Sequence, residues 1–405
     1  MDRAAHRHGR TLGVVIHVVG AGIAGLAAAV ALAGAGHRVR LSEATPQAGG
    51  RCRSFTDPIL GATIDNGTHL VLGANRHTLA LLAAIGGQHR ILAARLPILD
   101  LVSRRLTELR PGRLPAGWGE TLRAAGLPWV GQSQTVGQRL GRCRSYGSLW
   151  QPLCVSALNS PAETAQAALL ARLLRALVLG GAQALRPVIF PDGLSAAFAG
   201  PAISFLQARG ATIRFGRRLT AVHHDHLSFG DEPMALAPAD RIILALPPDG
   251  ARRLIPTLPD LPAQAIANLH FRLPGPVALP GGLPFLALTG GQVQWLAVRG
   301  DMLSATLSAC PTRPDPAMIW AEIAPLCGLG PHLPPHRLIF ERRATLDHAP
   351  PTIAARPGPR TPWPHCFLAG DWLASAWPCT IEAAVESGLA AARLAVGQDD
   401  LLFPC

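Results

Sequence analysis

Apolar positions along this chain fall into three kinds of run, and each predicts a different element. The first is an uncharged stretch, 11–36, where a short apolar segment (13–19) passes through spaced glycines into an alanine-rich segment (23–35). A second apolar segment follows and ends at Glu43, so strand, helix and strand are predicted in that order. The second kind is helical. Within an apolar, proline-punctuated region from 76 to 187, Leu169, Leu170, Leu173, Leu174, Leu177 and Val178 recur at helical spacing, with Gln166, Arg172 and Arg175 set apart from them. The third is short and strand-like, at 211–216, 219–223, 241–248, 294–299, 302–308 and 366–370, the last followed by a helix over 383–394. There is no long-period repeat. At 405 residues the chain is too long for one compact core, which predicts two interleaved domains of the α/β class. Segments 12–75, 188–250 and 341–397 form a Rossmann-type domain in this division, and 76–187 with 251–340 a mixed α+β domain for substrate.

The glycines carry the first chemistry. Gly20, Gly22 and Gly25 make G-x-G-x-x-G between the first strand and helix. Gly20 permits a tight turn, Gly22 lets the backbone approach a pyrophosphate, and Gly25 lets helix and strand pack closely. Ile23 and Ala24 then open a helix whose N-terminus faces the phosphates. Glu43, with Ala44 beside it, ends the second strand where an acid holds a ribose. Gly49-Gly50-Arg51 comes next. Two adjacent glycines let main chain lie against a pyrophosphate, and Arg51 and Arg53 supply fixed positive charge, which points to FAD rather than NAD.

Three further segments join this set. Asp65-Asn66-Gly67-Thr68-His69 ends a strand in a polar loop suited to lie under a cofactor, with Gly67, Thr68 and His69 as contacts. A hydrogen-bonded loop histidine is the plainer reading of His69. Val222, in the 219–223 strand, is added as a cofactor contact. Gly370-Asp371 closes a strand, and Pro378, Thr380 and Ile381 lead into a helix. An acid there can accept from ribityl hydroxyls, while a helix N-terminus can stabilise the negative charge of a reduced flavin.

Composition changes the picture in few places. All 37 basic residues are arginine, against 25 acids, for a net charge of +12. The arginines are scattered and no aromatic-rich motif accompanies them, so nucleic acid is not expected, and peripheral attraction to anionic lipid is. Eight cysteines show neither C-x-x-C nor metal-ligand spacing, as for reduced thiols in a cytoplasmic enzyme. His223, His224 and His226 match no metal pattern and read as a hairpin tip, so no metal is expected. Residues 1–11 are read as a flexible basic tail. The run after them is no membrane span, because His17 and six glycines interrupt it.

With these motifs the chain resembles the large flavin family that includes amine oxidases, phytoene desaturases and prenyl-binding GDP-dissociation inhibitors. Within it, the stretches DNGTHLVLGANRHTLALLAAIG from Asp65, LWQPLCVSALNSP from Leu149, ERRATLDHAP from Glu341 and TPWPHCFLAGDWLASAWPCTIEAAVESG from Thr361 are similar to the hydroxysqualene dehydroxylases of bacterial hopanoid synthesis. The resemblance implies reductive removal of the hydroxyl of hydroxysqualene, a long apolar isoprenoid, to give squalene. Cys379, Ala383 and Glu386 depart from that group's usual residues. Asp65, His69 and Glu382 are candidates, by motif position alone, for the proton donor that the leaving hydroxyl needs. Only one nucleotide fingerprint is present, so electrons are expected from an external donor. A carotenoid desaturase, sharing a long substrate but reversing electron flow, stays open. An amine oxidase fits less well, with no lysine and Tyr146 as the only tyrosine. The intact flavin motifs argue against a non-catalytic prenyl-lipid carrier.

Overall fold

The computed structural model describes residues 13–112, 116–126 and 129–404, and the basic tail expected at 1–11 lies outside them. A five-stranded sheet, all parallel, has Val15–Val19 at its centre. On one side lie Arg38–Ser42 and then Thr212–Arg214. On the other lie Arg241–Leu244 and then Cys366–Leu368. Alternate residues of these strands enter different cores, as the strand period of two requires. Ile16, Val18 and Ile243 face a helical layer, while Val19, Ile242 and Leu244 face the antiparallel ribbon His226–Phe229 through Leu227 and Phe229. His17 is the one buried polar residue on the central strand, and its Nε2 lies 3.1 Å from Asp240 Oδ2.

The helical layer explains the alanines. Ile23–Gly34 is buried at every position from Ile23 to Ala33, because it is enclosed by the sheet, Gly200–Ala208 and Ile381–Val396. A helix apolar all round is stable only when surrounded in this way. Small side chains let it touch Ile381–Val396 at the backbone: a Cβ on Gly388 would lie 2.1 Å from the carbonyl oxygen of Ala24.

A second, seven-stranded sheet runs His336–Leu346, Ala263–Arg272, Met302–Leu307, Trp295–Arg299, Phe285–Thr289, Leu96–Asp100 and Arg105–Leu109. Its neighbours are antiparallel except Phe285–Thr289 with Leu96–Asp100. A division of the chain at 341 falls inside the first of these strands. One face packs on Pro316–Ile323 through Ile319, Trp320 and Ile323. Beside this sheet, Gln151–Leu158 and Ala167–Ala184 build a further apolar cluster. Ala167–Ala184 is the one helix among the described residues long and apolar enough to cross a membrane. Leu169, Leu170 and Leu174 are buried in the cluster, and Arg172 lies 4.9 Å over the Trp377 ring. The three histidines at 223–226 do occupy a hairpin tip, where His223 and His226 stack at 4.1 Å. No group of metal-ligating side chains occurs among the described residues.

The helix contact gives a direct stability test. Gly388→Val forces a branched side chain onto the Ala24 carbonyl, so the variant should lose roughly 3 kcal/mol, read as a lowered denaturant midpoint. An unchanged midpoint would mean that the two helices are not in backbone contact.

Candidate active site

One cavity of about 1370 Å³ lies between the two sheets. On one side it is bounded by the C-terminal ends of parallel strands, at Val19, Glu43, Ala245 and Ala369. On the other it meets Asn268, His270, Trp295, Ser304 and Thr306 of the seven-stranded sheet. Crevices at the carboxyl ends of parallel strands are where such folds take ligands. Gly20, Gly22, Ile23, Ala24, Glu43, Ala44, Gly49, Gly50, Arg51, Gly67, Thr68, His69, Gly370, Asp371, Thr380 and Ile381 all border it. Three of the expected contacts do not. Gly25 is inside the fold, where a Cβ would lie 1.9 Å from the Gly20 carbonyl oxygen, and Pro378 is buried outside the lining. Val222 is replaced in the wall by Arg217, Arg218, Leu219 and Thr220, because the cavity reaches only the start of that segment.

The glycines differ in what demands them. Gly20 has φ +102°, and a Cβ there would meet the Ala245 carbonyl oxygen at 2.3 Å. Protein crowding therefore accounts for Gly20 and Gly25. Gly22 has an ordinary φ of −70° at the helix N-cap, and no protein atom lies within 4 Å of where its Cβ would be. That empty position opens onto the cavity, so the fold itself leaves room for a side chain there. Gly22 also bridges to Gly49, which brings both glycine clusters to one point.

Charged groups around this cradle are firmly held. Glu43 accepts from the Ala21 amide at 2.7 Å, and from the Thr45 amide and hydroxyl, each at 2.8 Å. A carboxylate has about four acceptor positions, so one is left for a ribose hydroxyl. Arg51 pairs with Asp371 at 2.5 Å, and Arg53 donates to the Gly50 carbonyl at 2.8 Å. The 371–379 loop hangs from two buried groups that sequence reasoning missed. Arg356 donates to the carbonyls of Asp371, Trp372 and Trp377. His348 accepts the Cys379 amide on Nε2, at 2.9 Å, and bonds the Leu158 carbonyl through Nδ1. Burial pushes the pKa of His348 down to about 4, which suits a ring with one donor and one acceptor. Burial also pushes the Cys379 thiol up to about 12, leaving it a poor nucleophile for covalent attachment.

The three proton-donor candidates fare differently. Asp65 accepts from Ser54 Oγ at 2.6 Å and the Leu194 amide at 3.0 Å, and pairs with Arg299 at 2.8 Å. Glu382 is buried and accepts four hydrogen bonds, from the amides and side chains of His77 and Thr78. It thereby caps the helix Arg76–Ile85, and these bonds prevail over burial to lower its pKa. Both carboxylates are acceptors fixed in the framework. His69 bonds only the Gly67 carbonyl, through Nδ1 at 2.7 Å, and presents Nε2 without a protein partner among the described residues. Sequence reasoning also missed the sheet's polar wall, because it forms only when strands distant in the chain pair.

The chain matches the family model of flavin containing amine oxidoreductases over residues 23–153, 132–316 and 343–396, and it belongs to that family. Cyclohexylamine oxidase from Brevibacterium oxydans IH-35A has a similar fold, with a TM-score of 0.71 at 17% identity over 95% of this chain and 99% of that one. Within the family the chain belongs with the hydroxysqualene dehydroxylases. It is 39% identical to the one from Sinorhizobium fredii, over 95% of this chain and 98% of the relative. It is 38% identical to the one from Rhodopseudomonas palustris, over 94% and 97%. FAD is the cofactor of this fold, and the open position at Gly22, the paired glycine clusters and the free acceptor of Glu43 fit it.

Gly22→Val should therefore separate folding from cofactor binding. The apoprotein should keep its stability to within about 1 kcal/mol, while the purified variant loses its flavin absorbance. A yellow variant with wild-type flavin content would remove Gly22 from the cradle.

Proposed function

We propose that this protein removes the hydroxyl group of hydroxysqualene reductively, giving squalene, with non-covalently held FAD. The observation that carries the reading is the continuity of one cavity. It runs from the glycine cradle past the 66–69 loop to walls that include Leu153, Leu170, Leu173, Leu174, Leu177 and Phe285. Each buried methylene contributes roughly 0.8 kcal/mol, so such walls can hold a long isoprenoid with few polar anchors. The names of the relatives agree with that substrate.

In the reaction the C–O bond breaks, a C–H bond forms, and the hydroxyl leaves as water after taking up one proton. FAD held by the glycine cradle and Glu43, once reduced by an external donor, would supply the hydride equivalent. The chain's own work is to exclude water, orient the alcohol and provide the proton. Asp65 and Glu382 are occupied as acceptors, so His69 is the donor in this reading. Its neutral ring carries hydrogen on Nδ1, since the Gly67 carbonyl can only accept, and protonation at Nε2 makes it an acid facing the cavity. Desolvation by the surrounding cavity walls lowers its pKa from the ordinary 6.5. The active, protonated form is thus complete below that lowered pKa and lost as pH rises through it.

Two measurements test this. Enzyme-bound flavin is reduced anaerobically and hydroxysqualene is added; flavin reoxidation in step with squalene formation is the expected result. If the reduced flavin is untouched and the oxidised enzyme instead desaturates a carotenoid precursor, the desaturase reading replaces ours. His69→Gln should then lower the reoxidation rate roughly 100-fold and flatten a wild-type profile that falls with rising pH. A variant with the wild-type rate and profile would exclude His69 as the donor.

A membrane is the proposed source of substrate. A smaller cavity of about 180 Å³ shares Leu96, Leu109, Leu153, Leu174, Leu177 and Trp295 with the first and continues to Trp118. Trp118, Leu122, Trp129 and Leu179 are exposed, Trp129 almost completely. Aromatic side chains beside arginines suit the interface of an anionic bilayer. In flotation assays the protein should rise with anionic vesicles, and Trp118→Glu combined with Leu179→Glu should abolish this. Equal failure of the wild type with anionic and neutral vesicles would remove the membrane from the picture.

A further inference from the structure

Four buried polar side chains form a row on the cavity face of the seven-stranded sheet, and the chemistry above uses none of them. Asn268 pairs in register with Thr306, and His270 with Ser304, on the antiparallel strands Ala263–Arg272 and Met302–Leu307. All four are buried, His270 to 2% exposure. Their immediate neighbours Ala267, Leu269, Phe271, Leu303 and Ala305 point the other way, into the apolar cluster around Trp320. The row is tied together across the strands: Thr306 Oγ1 donates to Asn268 Oδ1 at 2.8 Å, and His270 Nδ1 lies 2.8 Å from Ser304 Oγ. Asn268 Oδ1 also accepts from the Thr68 amide at 3.4 Å, which sets the row directly against the Gly67–His69 loop.

Two hydrogen-bonding groups in this row form no well-aligned hydrogen bond with the protein. His270 Nε2 is buried and makes no hydrogen bond of normal geometry, the Asp65 backbone being the polar group beside the ring, and Asn268 Nδ2 makes none among the described residues. A buried polar group left unpaired is costly, and the few that occur need an explanation. Both residues border the cavity, so a group that enters it can supply a partner. Burial holds the pKa of His270 down at about 4, which keeps the ring neutral. A neutral ring bonded to a serine hydroxyl can hold its hydrogen on either nitrogen. Nε2 then donates to an oxygen or accepts from an O–H, and a hydroxyl group answers both. A hydrocarbon answers neither.

We propose that His270 and Asn268, positioned by Ser304 and Thr306, form the seat for the substrate's hydroxyl group and make the cavity prefer the alcohol over the hydrocarbon it becomes. The proposal rests on the dehydroxylase reading. Substrate and product there differ by one oxygen in a molecule otherwise all hydrocarbon, so apolar walls alone bind the two about equally. A polar seat left unpaired by the product weakens its binding and promotes its release.

The test uses oxidised, FAD-loaded enzyme, in which hydroxysqualene cannot be turned over. Binding of hydroxysqualene and of squalene is followed by perturbation of the flavin spectrum. Wild type should bind the alcohol at least about tenfold more tightly. His270→Leu should bring the ratio close to one by weakening the alcohol while squalene binds as well or better. Ser304→Ala should narrow it in the same direction, and serves as the decisive variant if His270→Leu does not fold. His270→Gln, which keeps an amide donor, should retain part of the preference. A ratio unchanged in a variant with full flavin content, or equal weakening of both ligands, overturns the seat. A wild type that converts hydroxysqualene without preferring it to squalene also overturns the seat and leaves the dehydroxylase reading standing. A wild type that binds neither ligand removes both.

Discussion

Backbone-to-backbone approach around Gly20 is the constraint on which the rest of the site depends. The Gly20 amide donates to the Ser42 carbonyl at 2.7 Å, Ala245 to Val19 at 2.8 Å, and Gly49 to Ala21 at 2.8 Å. Three separate stretches of chain thus fix one turn without using a side chain. Glu43 adds the only side-chain brace among the described residues, through the Ala21 amide. Short main-chain hydrogen bonds shielded from water are hard to exchange one at a time, so the cradle is positioned before any cofactor arrives.

The opposite wall of the cavity is built by other means. Its polar atoms belong to side chains, held by partners from other strands and loops. On the cradle's own side, Arg356 and His348 are buried and support the 371–379 loop from behind, each reaching carbonyl groups or an amide rather than a ligand. Such second-layer groups restrict the positions of Asp371 and Trp377 without touching what binds in front of them. The apolar part, along Ala167–Ala184, contributes volume and dryness instead of direction.

How much of this was legible in the sequence follows from how local each feature is. The glycine clusters, Glu43 and the Gly370-Asp371 strand end are motifs of a few residues, and they arrive in one place because parallel strands all end on one side. Val222 does not border the cavity, because a strand pattern does not say which of its residues reaches a cavity edge; Leu219 and Thr220 do. Glu382 stands in the flavin segment by sequence, but its carboxylate turns to the N-terminus of Arg76–Ile85, some three hundred positions away in the chain. The row at 268–270 and 304–306 was illegible because neither strand alone marks it, and only their pairing makes a polar surface. Arg356 and His348 look like ordinary charged positions until burial is known.

The alternation on that strand also bears on how the chain finds its fold. Along 267–271, apolar and polar residues take turns, and the two sides of the sheet face very different surroundings. Sliding Ala263–Arg272 by one residue against its partners would press Asn268 and His270 into the cluster around Trp320 and turn Leu269 and Phe271 toward the cavity. Every side chain would change sides at once, with polar groups sealed among hydrocarbon. The residues that give the cavity its chemistry therefore act as an alignment key as well, setting the strand's register during folding before anything is bound.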